Sequence, residues 1–193
     1  MRTPSGYFAA YADTIQRMEV TLRDGRTLSV DDGMAAAIDL VTAIKGAASK
    51  AMVIGNGGSA AIASHLHNDL CKAVGVRAMV FNEQPLLTAL ANDHGYETVF
   101  QMPIRLWADR GDLLIAVSSS GESENILTAV ALAAERGCRV LTFTGFKPGN
   151  RLRRLGDVNI YVPSLEYGYV EMAHSVIAHC MTDLTVAKLA AHV

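Results

Sequence analysis

The chain has 193 residues, half of them apolar, with 19% charged residues and a formal net charge of −2. That balance describes a folded globular protein and excludes both a disordered chain and a binder that holds nucleic acid on a basic surface. The length suits a single domain over 1–193, a helical part in 1–48 and an α/β core in 49–193, with no room for a second catalytic domain beside a nucleotide-binding one. Charge or glycine interrupts every apolar stretch before membrane-spanning length, and the opening Met1-Arg2-Thr3-Pro4-Ser5-Gly6 leads into no secretory segment. A cytoplasmic protein with no membrane partner is expected. Cys71, Cys138 and Cys180 have no metal-like spacing and suit reduced thiols in a core, and Arg151, Arg153 and Arg154 form too short a basic run to imply more than a solvated patch.

In chain order, Tyr7, Tyr11, Ile15, Met18 and Leu22 recur at steps of three and four, predicting an amphipathic helix over residues 7 to 24. A second helix is expected from about Val30, N-capped by Asp31, through Met34, Ile38, Val41 and Ile44. After Lys50 short apolar runs alternate with longer helical ones, placing strands near 51 to 55, 77 to 81, 112 to 117, 138 to 144 and 158 to 162. This rhythm is that of a parallel sheet with helices on both faces. Residues 168 to 190 read as a helix apolar around much of its circumference, with Met172, Val176, Ile177, Met181, Leu184, Val186 and Leu189. It and the N-terminal helix are expected to pack against another subunit.

Two polar loops each follow an apolar run and precede a helix: Gly55-Asn56-Gly57-Gly58-Ser59, and Ser118-Ser119-Ser120-Gly121-Glu122-Ser123. Backbone N–H groups at a helix N-terminus attract anions, glycines admit close approach of the main chain, and serine hydroxyls donate hydrogen bonds without adding charge. The pair points to a phosphorylated small molecule. The first loop also fits the dinucleotide pattern as Gly55-x-Gly57-x-x-Ala60, with Glu83 after the next strand, but that pattern leaves the four serines of the second loop unexplained. One serine suffices to cap the helix expected near Glu122.

The chemistry is expected from a second group. His65 and Asp69, four residues apart, share one helix face and can share a metal ion or a substrate; an ordinary surface pair is the alternative. On the last helix stand Glu171, His174 and His179. His174, among apolar neighbours, reads as a packed residue. Glu171 and His179 lie ~12 Å apart along a straight helix axis, so reaching one ion requires a symmetric oligomer or a break near Gly168.

These residues resemble the sugar isomerase (SIS) domain family, and within it the phosphoheptose isomerases. The resemblance takes in the glycine loop, positions 65 and 69, Ala91-Asn92-Asp93-His94-Gly95-Tyr96, the serine loop, Thr142-Phe143-Thr144-Gly145 and the C-terminal helix with its two histidines. It implies a flavodoxin-like three-layer α/β/α fold with a five-stranded parallel sheet, and a homotetramer with interface active sites. It also implies conversion of sedoheptulose 7-phosphate to D-glycero-D-manno-heptose 7-phosphate through an enediol. By the same resemblance Asn56, Gly57, Ser59, Ser118, Ser119, Ser120 and Ser123 match phosphate and substrate positions. Asn92 and Asp93 are further candidates for binding, Asp93 for sugar hydroxyls or acid/base work, with helix termination by Asn92-Asp93-His94-Gly95 as the alternative. His65, Asp69, Glu171 and His179 match a site for one zinc ion per subunit, and Asp69 and His179 match the acid/base pair. The best-known members carry glutamate where this chain has Asp69 and glutamine where it has Glu171. Whether His179 is a metal ligand or a proton carrier stays open, as does the sugar's chain length. The alternative from another class is a non-catalytic SIS module that binds a sugar phosphate and regulates a partner.

Overall fold

The computed structural model describes residues 3–46 and 48–191. In chain order it has α1 (Pro4–Gln16), β1 (Glu19–Leu22), β2 (Thr27–Leu28), α2 (Val30–Ala43), β3 (Ala51–Gly55), α3 (Gly58–Asp69), β4 (Ala78–Val80), α4 (Gln84–His94), α5 (Gln101–Trp107), β5 (Leu113–Ser118), α6 (Glu124–Glu135), β6 (Arg139–Thr144), β7 (Val158–Tyr161) and α7 (Tyr167–Ala190). Strands β3 to β7 are parallel and lie in the order β4-β3-β5-β6-β7. This is the flavodoxin-like order, with its switch point between β3 and β5, where the two departing loops diverge and leave a crevice.

Strands buried on both faces must be apolar at successive positions, and β3 and β5 are buried throughout. Their side chains alternate between two cores. Val53, Ile115 and Leu141 join residues of α2, α3 and α7, whereas Ile54, Leu114 and Val140 join residues of α5 and α6. The opposite, N-terminal edge of the sheet is tied by Asp112, which is fully buried. Its carboxylate accepts from Lys50 N at 2.9 Å, Lys50 Nζ at 2.6 Å and Asp109 N at 2.8 Å. Among the described residues no helix is long and apolar enough to cross a membrane.

The expected helix over 7 to 24 is shorter. It stops at Gln16, and Glu19–Leu22 is a strand antiparallel to β7, extending the five parallel strands to a seven-stranded sheet with β2 outermost. Val20 is fully buried against Gly33 of α2, where a Cβ would come within 2.5 Å of it. Met18 and Leu22 fit a helical step as well as a strand step, and only pairing with a strand far along the chain decides between them. The N-cap of α2 is Ser29, whose hydroxyl accepts from Asp32 N at 3.1 Å; Asp31 lies in the first turn instead. Only Cys138 is buried, its thiol pushed up to about 11 chiefly by burial, while Cys71 and Cys180 are exposed. Nor is the basic run purely a solvated patch: Arg153 pairs with Glu19 at 2.7 Å and stacks over Tyr161, and Arg151 binds Glu122 and Glu124.

Candidate active site

The first loop leaves the C-terminal end of β3 and turns into α3 at Gly57, whose φ of 53° favours glycine. Gly58 follows with a different need. A Cβ there would meet the Glu171 carboxylate at 2.5 Å, so α7 rests directly on the start of α3. The second loop leaves β5 and leads into α6. Between them lies a cavity of about 220 Å³, lined by Asn56 to Ser59 on one side and Ser118, Ser119, Ser120 and Ser123 on the other, with Tyr167 and Glu171 at its rim.

The four serines are not equivalent. Ser118 and Ser120 each accept a backbone N–H of their own loop, from Gly121 and Glu122, both at 3.2 Å. Ser119 is buried and its hydroxyl makes no hydrogen bond. Ser123 occupies the N-cap position of α6, which starts at Glu124, two residues after the expected Glu122, yet makes no side-chain capping bond. A buried hydroxyl without a partner is costly unless a ligand satisfies it. Among the described residues no lysine or arginine lines the cavity, which leaves helix N-termini and hydroxyls as the groups able to attract an anion.

Asn56 is held by a reciprocal amide pair, its Nδ2 donating to Asn125 Oδ1 and its Oδ1 accepting from Asn125 Nδ2, both at 2.9 Å. Tyr96 OH adds a third bond, donating to Asn56 Oδ1 at 3.0 Å. The two loops are thereby clamped together by Asn125, a buried polar residue on α6 that sequence reasoning missed. Its signal was an asparagine directly after the serine loop, ambiguous until its partner far along the chain is known.

At the far end of α3, His65 Nε2 lies 3.4 Å from Asp69 Oδ2, and His179 Nδ1 lies 3.5 Å from the same oxygen. The two imidazole rings meet edge to face at 4.8 Å. One donor atom from each of the three residues lies within 4.8 Å of the others. Two imidazoles and a carboxylate so disposed are a donor set that zinc accepts. Asp69 Oδ1 takes an N–H from Asn68 at 3.1 Å, and directly after Asp69 the backbone widens into a π-turn over Leu70–Val74, whose end is capped by Lys45 Nζ on Val74 O at 2.6 Å. Such widened turns recur at functional sites.

The expected residues therefore form two groups. His65, Asp69 and His179 come together, while Glu171 stands with the cavity. Helix α7 is continuous through Gly168, so within one chain no break brings Glu171 to the cluster. Asn92 and Asp93 lie in the last turn of α4, with Asn92 Nδ2 donating to Asp93 Oδ1 at 2.7 Å, and they do not line the cavity. Glu83, the acidic residue that a dinucleotide reading requires, instead caps α4, accepting from Leu86 N at 3.3 Å. His174 is buried among apolar residues, as its neighbours in sequence suggest.

The sequence model of the SIS domain family matches residues 7–145. The phosphoheptose isomerase of Pelobacter propionicus is 38% identical over 141 residues, covering 70% of this chain and 74% of that protein. The phosphoheptose isomerase of Geotalea daltonii is 35% identical over 162 residues, covering 81% of this chain and 84% of that one. Among solved structures, phosphoheptose isomerase GmhA from Neisseria gonorrhoeae aligns with a TM-score of 0.81 at 28% identity over 94% of this chain and 95% of that chain. The family match spans the glycine loop, the serine loop and the first two members of the histidine–aspartate cluster, and the protein belongs to the SIS domain family.

Proposed function

We propose that this protein is an aldose-ketose isomerase that converts sedoheptulose 7-phosphate to D-glycero-D-manno-heptose 7-phosphate in the cytoplasm. Relatives named phosphoheptose isomerase match most of the chain and support the reading. The observation that carries it is the pairing of a phosphate-sized cradle with a carboxylate–imidazole cluster, the first at the start of α3 and the second at its end.

From Ser59 to Asp69 the helix rises ~15 Å. The cavity of about 220 Å³ is also smaller than the ~300–1,000 Å³ usual for a small-molecule site. Both favour a site completed by another copy in a homotetramer. The exposed apolar side chains Met172, Val176 and Leu184 on α7, with Phe8 on α1, offer the surface for that contact.

In this reading the N-termini of α3 and α6, with Ser59, Ser118, Ser119, Ser120 and Ser123, anchor the phosphate and so fix the sugar chain. Asp69 takes a proton from C1 of the ketose and, after that proton has exchanged with solvent, delivers one to C2. His179 carries the hydroxyl proton from O1 to O2, so that one carbon-bound and one oxygen-bound proton move and the ketose becomes an aldose through an enediol. His65, Asp69 and His179 would hold one zinc ion per subunit, with Glu171 as the further carboxylate only if a neighbouring copy supplies it, since within one chain it stands at the cavity. When bound, zinc supplies a Lewis acid that stabilises negative charge on the sugar oxygens.

Alanine at Asp69 or at His179 is expected to lower turnover at least about 100-fold, the usual worth of a proton-transferring group. Inorganic phosphate should bind both variants as it binds the parent, and Ser119→Ala should weaken it. Unchanged turnover in the first two variants contradicts the assignment.

A further inference from the structure

His174 belongs to neither the cradle nor the cluster, yet it stands on α7 between Glu171 and His179. It is fully buried, with its ring packed against Phe143 at 5.8 Å between centroids. Nε2 lies 3.1 Å from the Thr144 carbonyl oxygen, and Nδ1 makes no hydrogen bond. An imidazole so placed loses hydration that one bond does not fully restore, a cost that leucine would not incur.

The bond lies at a junction. Thr144 ends β6, and the next residue, Gly145, donates its N–H to the Ser119 carbonyl at 3.0 Å. A Cβ at Gly145 would approach Val170 of α7 to 2.6 Å and Ser119 O to 3.2 Å. The end of β6, the serine loop and α7 therefore touch at one place. Elsewhere in the core α7 is held by Ala173, Ile177, Ala178 and Met181, whose apolar contacts are non-directional and tolerate small slides or rotations. Its directional bonds to Tyr11, through Met172 O at 3.3 Å, and to Asp39, through Lys188, lie on exposed surface and reach α1 and α2 rather than the serine loop. The hydrogen bond from His174 is directional and fixes both.

We propose that His174 is a positioning residue: its Nε2–H bond to Thr144 sets the axial place of α7 against the serine loop. Glu171 then stays against Gly58, and His179 stays against Asp69, while Ser119 holds the phosphate. The inference rests on the isomerase reading of the same site.

The test compares the zinc-loaded full chain with His174→Leu, which keeps volume and loses the donor, and with His174→Gln, which restores an N–H donor. The leucine variant should fold and lose at least about tenfold in kcat, as expected of a displaced catalytic group. Its KM should change by less than about threefold, because the serines and helix N-termini that anchor the phosphate stand on α3, α6 and the loops before them, and not on the displaced α7. Zinc affinity, read by chelator competition, should also fall at least about tenfold, in line with the effect of supporting partners on metal sites. The glutamine variant should recover most of both losses. A leucine variant with the parent's kcat and zinc affinity overturns the proposal, as does a folded glutamine variant no better than leucine. Independently of any variant, nitrogen-15 NMR of the parent should show His174 protonated at Nε2 and unprotonated at Nδ1; the opposite tautomer overturns the proposal. If the parent turns over no sugar phosphate, the isomerase reading falls, and the zinc comparison still decides the role of His174.

Discussion

Asp69 reaches both histidines with a single oxygen, at 3.4 and 3.5 Å, while Asn68 occupies the other. A carboxylate shorter by one methylene than the glutamate of the best-known relatives thus still closes the cluster, because His65 and His179 stand close enough for their rings to touch. His65 and Asp69 were legible from their spacing of four. His179 was a candidate beside Glu171 on the last helix, and only the resemblance set it in one site with His65 and Asp69, since nothing local says that α7 crosses the end of α3. His174 makes a separate prediction at this scale. Burial lowers its proton affinity from the ordinary 6.5 to about 4, so the folded protein holds it neutral where the unfolded chain would protonate it. Its contribution is complete above pH 6.5 and is lost as pH falls toward 4, by on the order of 3 kcal/mol. Acid unfolding followed by circular dichroism should therefore give His174→Leu a flatter stability profile than the parent between those values. Parallel profiles would contradict it.

Elements were legible where a local pattern had one reading. Five apolar runs gave the five parallel strands, and loops after β3 and β5 gave the cradle, because the ends of adjacent parallel strands lie side by side. Residues 18 to 22 were misread because Met18 and Leu22 satisfy two periods, and the partner that selects the strand, β7, begins at Val158. Asn125 escaped for the same reason, its amide partner lying across the crevice. At the sheet's other edge, Asp112 joins the starts of β3 and β5 through Lys50, and its own carbonyl accepts from Arg139 N at the start of β6. Asp112→Ala should cost about 3 kcal/mol, by leaving the backbone N–H groups of Lys50 and Asp109 unpaired and the Lys50 ammonium with only the exposed Asp109 carboxylate as partner. Urea titration should show the loss, while KM of the remaining folded enzyme stays that of the parent, since the cavity is at the opposite edge. A change in KM without loss of stability would refute this separation of roles.

In the function proposed above, one architecture serves both anchoring and chemistry across the whole molecule. The switch point of the sheet opens a crevice, two helix N-termini face it, and α3 and α7 carry side chains from its rim to the histidine–aspartate cluster. Glu171 and His179 share α7 but stand with different groups in one chain, and the apolar side chains left exposed on that helix are the surface on which the proposed homotetramer would form. The central claim is that proton transfer between two carbons of a sugar phosphate takes place there. Its most direct test is proton NMR of the zinc-supplemented protein with sedoheptulose 7-phosphate in deuterated water. The account predicts new aldose anomeric signals with deuterium entering at C2. A ketose unchanged after prolonged incubation, with no deuterium exchanged into it, would contradict the account.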